Sequence, residues 1–492
     1  MNILLISPKT PETFWSFRYV LHFISKKASY PPLGLLTVAG MLPREWNLRI
    51  VDLNVKNEIS EIDLKWANYV MISAMIVQKE SVSEIIQKCL KYNKTIIAGG
   101  PLFTTSYEKY PEIKHFVLGE AENIIEELIQ DLKSGNLKRI YCSDKKPDLT
   151  KTPIPRWDLI KMRDYAAMSV QFSRGCPFDC EFCDITAIFG RVPRTKSPAQ
   201  LILELETLRK LGWKDTVFIV DDNFIGNKKQ TRELLKELIV WRRKTKTKMT
   251  FLTEASVNLA DDPELCKLMV EAGFVKVFVG IETPSDEALK ECRKMQNQGR
   301  NLVEVVKKLH QFGLEVMGGF IVGFDNDPPD IFQRQFEFIQ KSGVVTAMVG
   351  LLTALPKTKL YQRLFKEGRI TEDSTGDNTQ SAINFIPKLN KEFLKNNYRQ
   401  LMKNLYSPSV YYKRIRVFLN EYKPTGAGIR VSYDDFIAFI KSIWFLGVHD
   451  KEGRKEYWKL FWSTLLTQPA KFRNAIELAI IGLHFRKVAE QL

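Results

Sequence analysis

Cys176, Cys180 and Cys183 stand within eight residues, in the run SRGCPFDCEFCDI from Ser173 to Ile185. Thiolates are soft ligands, and three on one loop can hold a soft metal. Zinc prefers four ligands, usually as two C-x2-C pairs, and no fourth Cys or His lies near this loop. A four-iron cluster takes one thiolate per iron, so three thiolates leave one iron open. A structural site is closed, whereas an open position is what a reaction centre keeps. The C-x3-C-x2-C spacing therefore reads as an iron–sulfur centre with one corner free for chemistry, with zinc as the weaker alternative.

The loop follows the apolar run MSVQFSRG (168–175). Similar runs are TVFIVDD (216–222), MTFLTEA (249–255), VKVFVGIE (275–282), VMGGFIVGF (316–324) and VTAMVGLLTALP (345–356). Helical patterns such as PAQLILELETLRKLG (198–212) separate them. Six β/α units predict a full or partial barrel, whose chemistry gathers at the C-terminal ends of its strands. SRGC, VDDN, TEAS, GIET and VGFD all stand at such ends. The cysteines, Asp221, Asp222, Glu254, Ser256 and Glu282 are therefore expected to share one site. A carboxylate from Asp221 or Asp222 suits a ligand's ammonium in a poorly hydrated mouth. The plainer role for that pair is to cap the next helix.

The first part of the chain alternates short strands and helices as well. ILLISP (3–8), LRIVDLN (48–54), YVMISA (69–74), TIIAGG (95–100) and HFVLGE (115–120) read as buried strands. Amphipathic stretches such as SVSEIIQKCLKY (81–92) lie between them. This predicts a five-stranded parallel sheet with helices on both faces. Ligands in such sheets sit at C-terminal strand ends, where Ser73, Gly99, Gly100 and Gly119 fall. No G-x-G-x-x-G follows the first strand, so the dinucleotide fingerprint is missing. KKPDLTKTPIPRWDL (145–159) reads as a linker, and from about 390 the chain reads as helices rich in aromatics. The expected fold is α/β. A doubly wound, Rossmann-like parallel sheet (1–144) and a linker (145–165) precede a partial (β/α)6 barrel of the TIM type (166–390). A C-terminal helical domain (391–492) follows.

A chain of 492 residues, 45% apolar and 26% charged, has the make-up of a folded protein of several domains. Seven cysteines are no disulfide framework at this length. The opening MNILLISPKT lacks a cleavage site, and no run of about 18 apolar residues occurs, so a cytoplasmic protein is expected. The net charge of +16 fits a Lys-rich surface, an anionic membrane, a phosphorylated substrate or nucleic acid alike. Residues 401–492 carry 15 Lys/Arg, 8 Asp/Glu and 16 aromatics. There SIWFLGVHDKEGRKEYWKLFWSTLL mixes an apolar face with basic residues, as a packed helical end or an interfacial surface would.

C-x3-C-x2-C at the end of a first barrel strand resembles the radical S-adenosylmethionine (SAM) superfamily. A doubly wound domain, linker and barrel in that order resemble its cobalamin-binding-domain branch. SYPPLGLLTVAGML (29–42), VDLN, ISAM, IIAGGPLFT and VLGEAE carry that likeness. The resemblance implies a [4Fe-4S] cluster on Cys176, Cys180 and Cys183, with SAM chelated at the open iron. Cleavage of SAM would give a 5′-deoxyadenosyl radical that abstracts hydrogen from an unactivated carbon. The resemblance also implies Phe182 beside the adenine and Asp221 and Asp222 on the amino group. Glu254 and Ser256 would meet the ribose or carboxylate, and Glu282 would order a loop or touch the ribose. Cobalamin would sit at Ser73, Gly99, Gly100 and Gly119. The D-x-H-x-x-G motif is absent, so a cobalt-ligating His is not implied, and His22 and His115 read as surface or packing residues.

HFRKVAEQL and LLTALPKTKLYQRL (351–364) resemble the helical extension of enzymes that methylate or couple polycyclic and isoprenoid lipids. The implied activity is cobalamin-dependent methyl transfer to a hydrophobic, isoprenoid or lipid substrate. A reductase, ferredoxin or flavodoxin would supply electrons, and a peripheral membrane contact is expected. One alternative is ring or carbon–carbon bond formation in a membrane lipid without methyl transfer. Another is a tRNA-modifying radical enzyme, which would need three further N-terminal cysteines where only Cys89 and Cys142 stand. Nucleic acid is accordingly disfavoured as a partner. Cys89 and Cys266 read as packing residues, and for Cys292 in LKECRKMQ the resemblance adds, as the lesser alternative, a reactive thiol of the kind some methylases use.

Overall fold

The computed structural model describes residues 1–377, 379, 382–424 and 433–492. Its first sheet is parallel throughout and runs β2-β1-β3-β4-β5-β6. The strands are β1 (Asn2–Ser7), β2 (Asn47–Asp52), β3 (Tyr69–Ser73), β4 (Thr95–Gly99), β5 (His115–Leu118) and β6 (Ile140–Cys142). Both faces are covered. Leu4, Ile6, Val70 and Ile72 pack toward the helix Lys79–Lys91, and Ile3, Leu5 and Met71 pack toward the helices Leu33–Met41 and Ile125–Ser134. Double coverage is why these strands read as unbroken apolar runs. The sixth strand escapes the sequence reading because only three residues, Ile-Tyr-Cys, join the edge.

The second sheet is also parallel and runs β14-β13-β12-β11-β10-β7. Its strands are β7 (Met168–Val170), β10 (Val217–Ile219), β11 (Phe251–Ala255), β12 (Phe274–Glu282), β13 (Glu315–Val322) and β14 (Ala347–Leu351). Four of the helices between them start on side-chain caps: Ser197, Asn227, Asp262 and Asn301 each accept a backbone N–H from the first turn. Six strands leave the barrel open, and both open edges are covered. Ala166 and Ala167 donate to the carbonyls of Ala28 and Ser29 at the β7 edge, at 2.9 and 3.0 Å. Tyr398 and Tyr406, from the helix Lys391–Tyr406, donate to the carbonyls of Val349 and Ala347 on β14, at 3.0 and 2.5 Å. N–H groups beside β7 and carbonyls on β14 that would otherwise invite another strand are thus occupied.

Two strand readings need correction. The run 168–175 is not one strand. It breaks after Val170, where the ladder to Ile219 ends, and resumes as β8 (Ser173–Arg174), which pairs antiparallel with β9 (Arg194–Thr195). The run 345–356 is a strand only over Ala347–Leu351. The linker 145–165 is not loose either: three short 3-10 turns carry Trp157 and Tyr165 into the core.

Residues 11–30 leave the first sheet and cross to the barrel. Trp15 stacks on Phe218 of β10 and lies against Phe278 of β12, with centroids 6.0 and 5.2 Å away. Tyr30 meets Phe218 at 5.3 Å. The helix Phe472–Glu490 closes over this strap. Its buried His484 donates from Nε2 to the carbonyls of Thr13 and Phe14, and Phe485 stacks on Phe14 at 5.5 Å. The C-terminal region is helical, as expected, over Lys391–Tyr406, Pro408–Glu421, Tyr433–Ser442, Ile443–His449, Arg454–Thr467 and Phe472–Glu490. Among the described residues no helix is long and apolar enough to cross a membrane.

The inner face of the barrel is less tightly covered than its outer face. Along β12, Val277, Val279 and Ile281 are fully buried against the helices, whereas Lys276, Phe278 and Gly280 on the inner face keep accessible surface. Gly319 and Ile321 of β13 do the same. A packed barrel would bury both sets.

Candidate functional site

The cysteine loop is built at its base before it can hold anything. Asp221 follows β10, is buried, and accepts from the Phe172 N–H (2.7 Å), the Ser173 N–H (2.9 Å) and the Ser173 hydroxyl (2.6 Å). Its carboxylate takes over the donors that the broken strand leaves unpaired. Asp222 accepts from the Gly175 N–H at 2.8 Å. Gly175 has φ of 95°, and a Cβ there would meet the carbonyl oxygens of Gly190 and Val192 at 2.9 and 3.0 Å. Only glycine fits that turn. The β8–β9 pair then ties Ser173 to Thr195 and Arg174 to Arg194, so both ends of the loop are pinned.

The thiols lie among donors and positive charge. Asn223 points its amide at Cys176 Sγ at 3.9 Å, and Gln296 points its amide at Cys180 Sγ at 3.8 Å. Lys294 is largely buried, pairs with Glu282 at 2.6 Å and stands 5.9 Å from the Phe182 ring. Burial works against the Lys294 charge, but the Glu282 carboxylate and the Cys180 sulfur outweigh it and raise the ammonium's pKa. Burial pushes the free Cys176 and Cys180 thiols up. Three soft sulfurs with amide donors and a buried ammonium beside them suit an anionic iron–sulfur cluster, whose charge these groups offset. Phe182 faces Phe324 with centroids 6.2 Å apart, giving the site an apolar wall.

Glu282 ends β12 at φ of 65°, an uncommon conformation for a residue with a side chain. A register shift between Gly280 and Glu282 accompanies it. A Cβ on Gly280 would meet Glu282 Oε1 at 2.5 Å and Lys294 Nζ at 2.8 Å, so this glycine makes room for the ion pair. Ser256 donates to Asn258 Oδ1 at 2.6 Å and accepts from the Asn223 amide at 3.2 Å. Glu254 faces the lumen. Burial, with the charges of Asp222 and Asp221 added, raises its carboxyl to about 8. Burial, with the charges of Asp221 and Asp184 added, raises Asp222 to about 7, and burial raises Asp221 to about 6. An unmet cation is what such a carboxylate cluster lacks.

Sequence reasoning placed the three cysteines, Phe182, Asp222, Glu254, Ser256 and Glu282 at one mouth, and the structure gathers them there. Asp221 lies beneath the loop, with its known contacts all to the loop's base. Sequence reasoning missed Lys294, Gln296, Arg174 and Arg194. Arg174 had a signal, since it stands inside the SRGC run. Cys292 is buried, and its carbonyl accepts from the Glu181 N–H at 2.9 Å, so it packs under the loop. Cys89 is buried in the first domain and Cys142 is exposed on its edge strand.

In the first domain Gly100 has φ of 92°, and a Cβ there would strike Ser73 Oγ at 2.7 Å. Gly119 has φ of 78°, its N–H bonds Thr104 Oγ1 at 2.9 Å, and a Cβ there would meet nothing within 4 Å. Open space therefore lies at this strand end, where a large planar ligand can approach the backbone. Gly99, Ser73 and Gly119 rim it. His115 bonds the Lys138 carbonyl and His22 lies against Phe445.

The two strand-end rims are bolted together. The side chains of Glu120 and Glu122, just after Gly119, are buried. Glu120 accepts from Arg174 at 2.9 Å and from Arg194 at 2.9 and 3.1 Å, and Glu122 pairs with Arg174 at 2.8 Å. Both arginines belong to the hairpin that carries the cysteine loop. The edge suited to a planar ligand is thereby held against the edge suited to a cluster.

Comparison with known proteins agrees with this arrangement. Residues 170–339 match the Radical SAM superfamily, residues 23–129 the B12 binding domain, and residues 358–492 a domain of unknown function. The chain belongs to the radical SAM superfamily. Within that superfamily it is a cobalamin-dependent radical SAM methyltransferase by family, and the family's cofactors are a [4Fe-4S] cluster, SAM and cobalamin. It is 42% identical to an uncharacterized methyltransferase of Synechocystis sp., over 100% of this chain and 92% of that one. It is 34% identical to the hopanoid C-2 methylase of Rhodopseudomonas palustris, over 84% of this chain and 78% of that one. The solved structure of the cobalamin-dependent SAM radical enzyme OxsB shares the fold, with a TM-score of 0.65 and 15% identity over 100% of this chain and 80% of that one.

Proposed function

We propose that this radical SAM protein methylates an unactivated carbon of a hydrophobic, isoprenoid-type lipid. The observation that carries the reading is the Glu120/Glu122 to Arg174/Arg194 clamp, which sets the B12-type strand ends against the cysteine loop. When bound, the cluster and SAM supply a carbon-centred radical and cobalamin supplies the methyl group. Cys176, Cys180 and Cys183 would hold the cluster. Asp222 and Glu254 would face the SAM ammonium and ribose, since Asp221 is engaged beneath the loop. Ser256 with Asn258 would hold hydroxyls, Glu282 would fix Lys294 beside the thiols, and Phe182 would cover the adenine. Ser73, Gly99, Gly100 and Gly119 would line the cobalamin rim. Trp15, Phe218 and Phe278 give the lumen an aromatic wall that excludes water from a radical and accepts an apolar substrate. The hopanoid methylase relative supports a polycyclic lipid as substrate.

The test is anaerobic reconstitution, reduction with a flavodoxin- or ferredoxin-type donor, and product analysis with a hopanoid-type lipid. Methyl transfer predicts cobalamin absorbance and both 5′-deoxyadenosine and S-adenosylhomocysteine, with methylated lipid. Deoxyadenosine without S-adenosylhomocysteine would replace this reading with ring or carbon–carbon bond formation.

A further inference from the structure

The C-terminal region shows water a face that a folded core would hide. On the helices Tyr433–Ser442 and Ile443–His449, Phe436, Ile440, Trp444 and Val448 recur every four residues, and all four are exposed, Trp444 by 55%. The partner helix Arg454–Thr467 exposes Trp462 by 53% and Leu466 by 76%. Trp458 joins the two stripes: its indole donates to the Gly447 carbonyl at 2.9 Å and its ring stacks on Trp462 at 6.3 Å. The result is a continuous apolar surface with tryptophans along it. Scattered single apolar residues need no explanation, but a patch of this kind does.

Charge frames the patch. Lys455 and Lys459 share a helix face with Trp462 and Leu466, at spacings of four, three and four. Lys451, Arg454 and Lys455 are exposed and have no carboxylate partner among the described residues. Three of the five nearby carboxylates are paired: Asp435 with Arg473, Asp450 with Arg486, and Glu456 with Arg416 and with Lys459, whose own charge is thereby met. Asp434 and Glu452 remain exposed. Three unpaired cations therefore stand against two unpaired carboxylates, and the residual charge of this face is basic by one.

We infer that this helical hairpin docks on the surface of an anionic lipid bilayer. Trp444 and Trp462 would sit at headgroup depth, Ile440, Val448 and Leu466 would enter the acyl boundary, and Lys451, Arg454 and Lys455 would meet lipid phosphates. A protein partner would favour an apolar patch with polar complementarity. Bare cations beside exposed tryptophans suit a fluid anionic surface instead. The inference rests on this surface alone, and its failure would leave the methyl-transfer reading intact.

Flotation of the full-length holoprotein with vesicles tests it. The protein should float with vesicles of equal phosphatidylglycerol and phosphatidylcholine, and far less with phosphatidylcholine alone. Two variants, W444E/W462E and K451E/R454E/K455E, should each weaken binding at least about tenfold. Iron content should stay at the wild-type value in both variants, and the melting temperature should stay there in K451E/R454E/K455E, whose altered side chains are all exposed and unpaired. Wild-type protein that remains unbound with phosphatidylglycerol would overturn the inference, as would variants that float like wild type. A wild-type dimer in light scattering that W444E/W462E splits, without vesicle binding, would assign the face to a second copy instead.

Discussion

Lys294 is the residue whose removal should be felt most widely around the cysteine loop. It is the partner of Glu282, and both are largely buried. Lys294→Met would leave Glu282 uncompensated and should destabilise the apoprotein by about 3–5 kcal/mol. Adding Glu282→Gln should recover part of that loss, which denaturant unfolding of the two variants would measure. Iron retained per chain should fall in the single variant, because the ammonium no longer faces Cys180. Glu254 makes a prediction with a sign. Its carboxyl is raised to about 8, so the folded chain keeps a proton that the unfolded chain gives up near 4.5. Stability from this group is present at low pH and is lost as pH rises from about 4.5 to 8. Glu254→Gln should therefore raise the apoprotein's melting temperature at pH 8.5 and change it little at pH 5.

At the scale of elements, the hairpin β8–β9 is a bracket with a job at each end. Inside it grips the cysteine loop, and outside its two arginines grip Glu120. Glu120→Ala would leave the largely buried Arg194 without a carboxylate and Arg174 with Glu122 alone, and should cost about 3 kcal/mol. The same variant should lose cobalamin on gel filtration, read from the visible spectrum, because the first domain's rim is no longer held. On the far edge of the barrel, Tyr398→Phe and Tyr406→Phe each remove a donor from a β14 carbonyl and should cost about 1–3 kcal/mol, with faster hydrogen exchange in β13 and β14. These elements were unevenly legible. Parallel strands covered on both faces announce themselves as apolar runs, and a three-cysteine loop announces its ligand. The break at Val170 did not, because an aspartate 50 residues later supplies the acceptors that end the ladder. Nor did Lys294, whose role exists only where β12 bulges at Gly280.

Across the whole molecule, two buried histidines join distant parts and stay neutral. Burial lowers His484, in the helix Phe472–Glu490, to about 4, and lowers His310, packed edge-on to Phe418 at 4.8 Å, to about 3. Unfolding lets both take up protons below about 6.5, so stability should fall as pH drops from about 6.5 toward 4. His310→Phe should reduce that acid loss, measured as the difference in melting temperature between pH 7 and pH 5. The strap that His484 fastens was invisible in the sequence. Residues 11–30 fall inside the expected first domain (1–144), and only the packing of Trp15 and Phe14 against distant partners reveals their place. That strap also sets an order of events during synthesis. The first sheet can fold as soon as it clears the ribosome, but Phe14 and Trp15 have nowhere to go until the barrel strands arrive. Thr13 and Phe14 then wait for a helix made some 460 residues later. A nascent chain stalled before that helix should therefore present an aromatic hook to chaperones, and releasing the remaining residues should hide it.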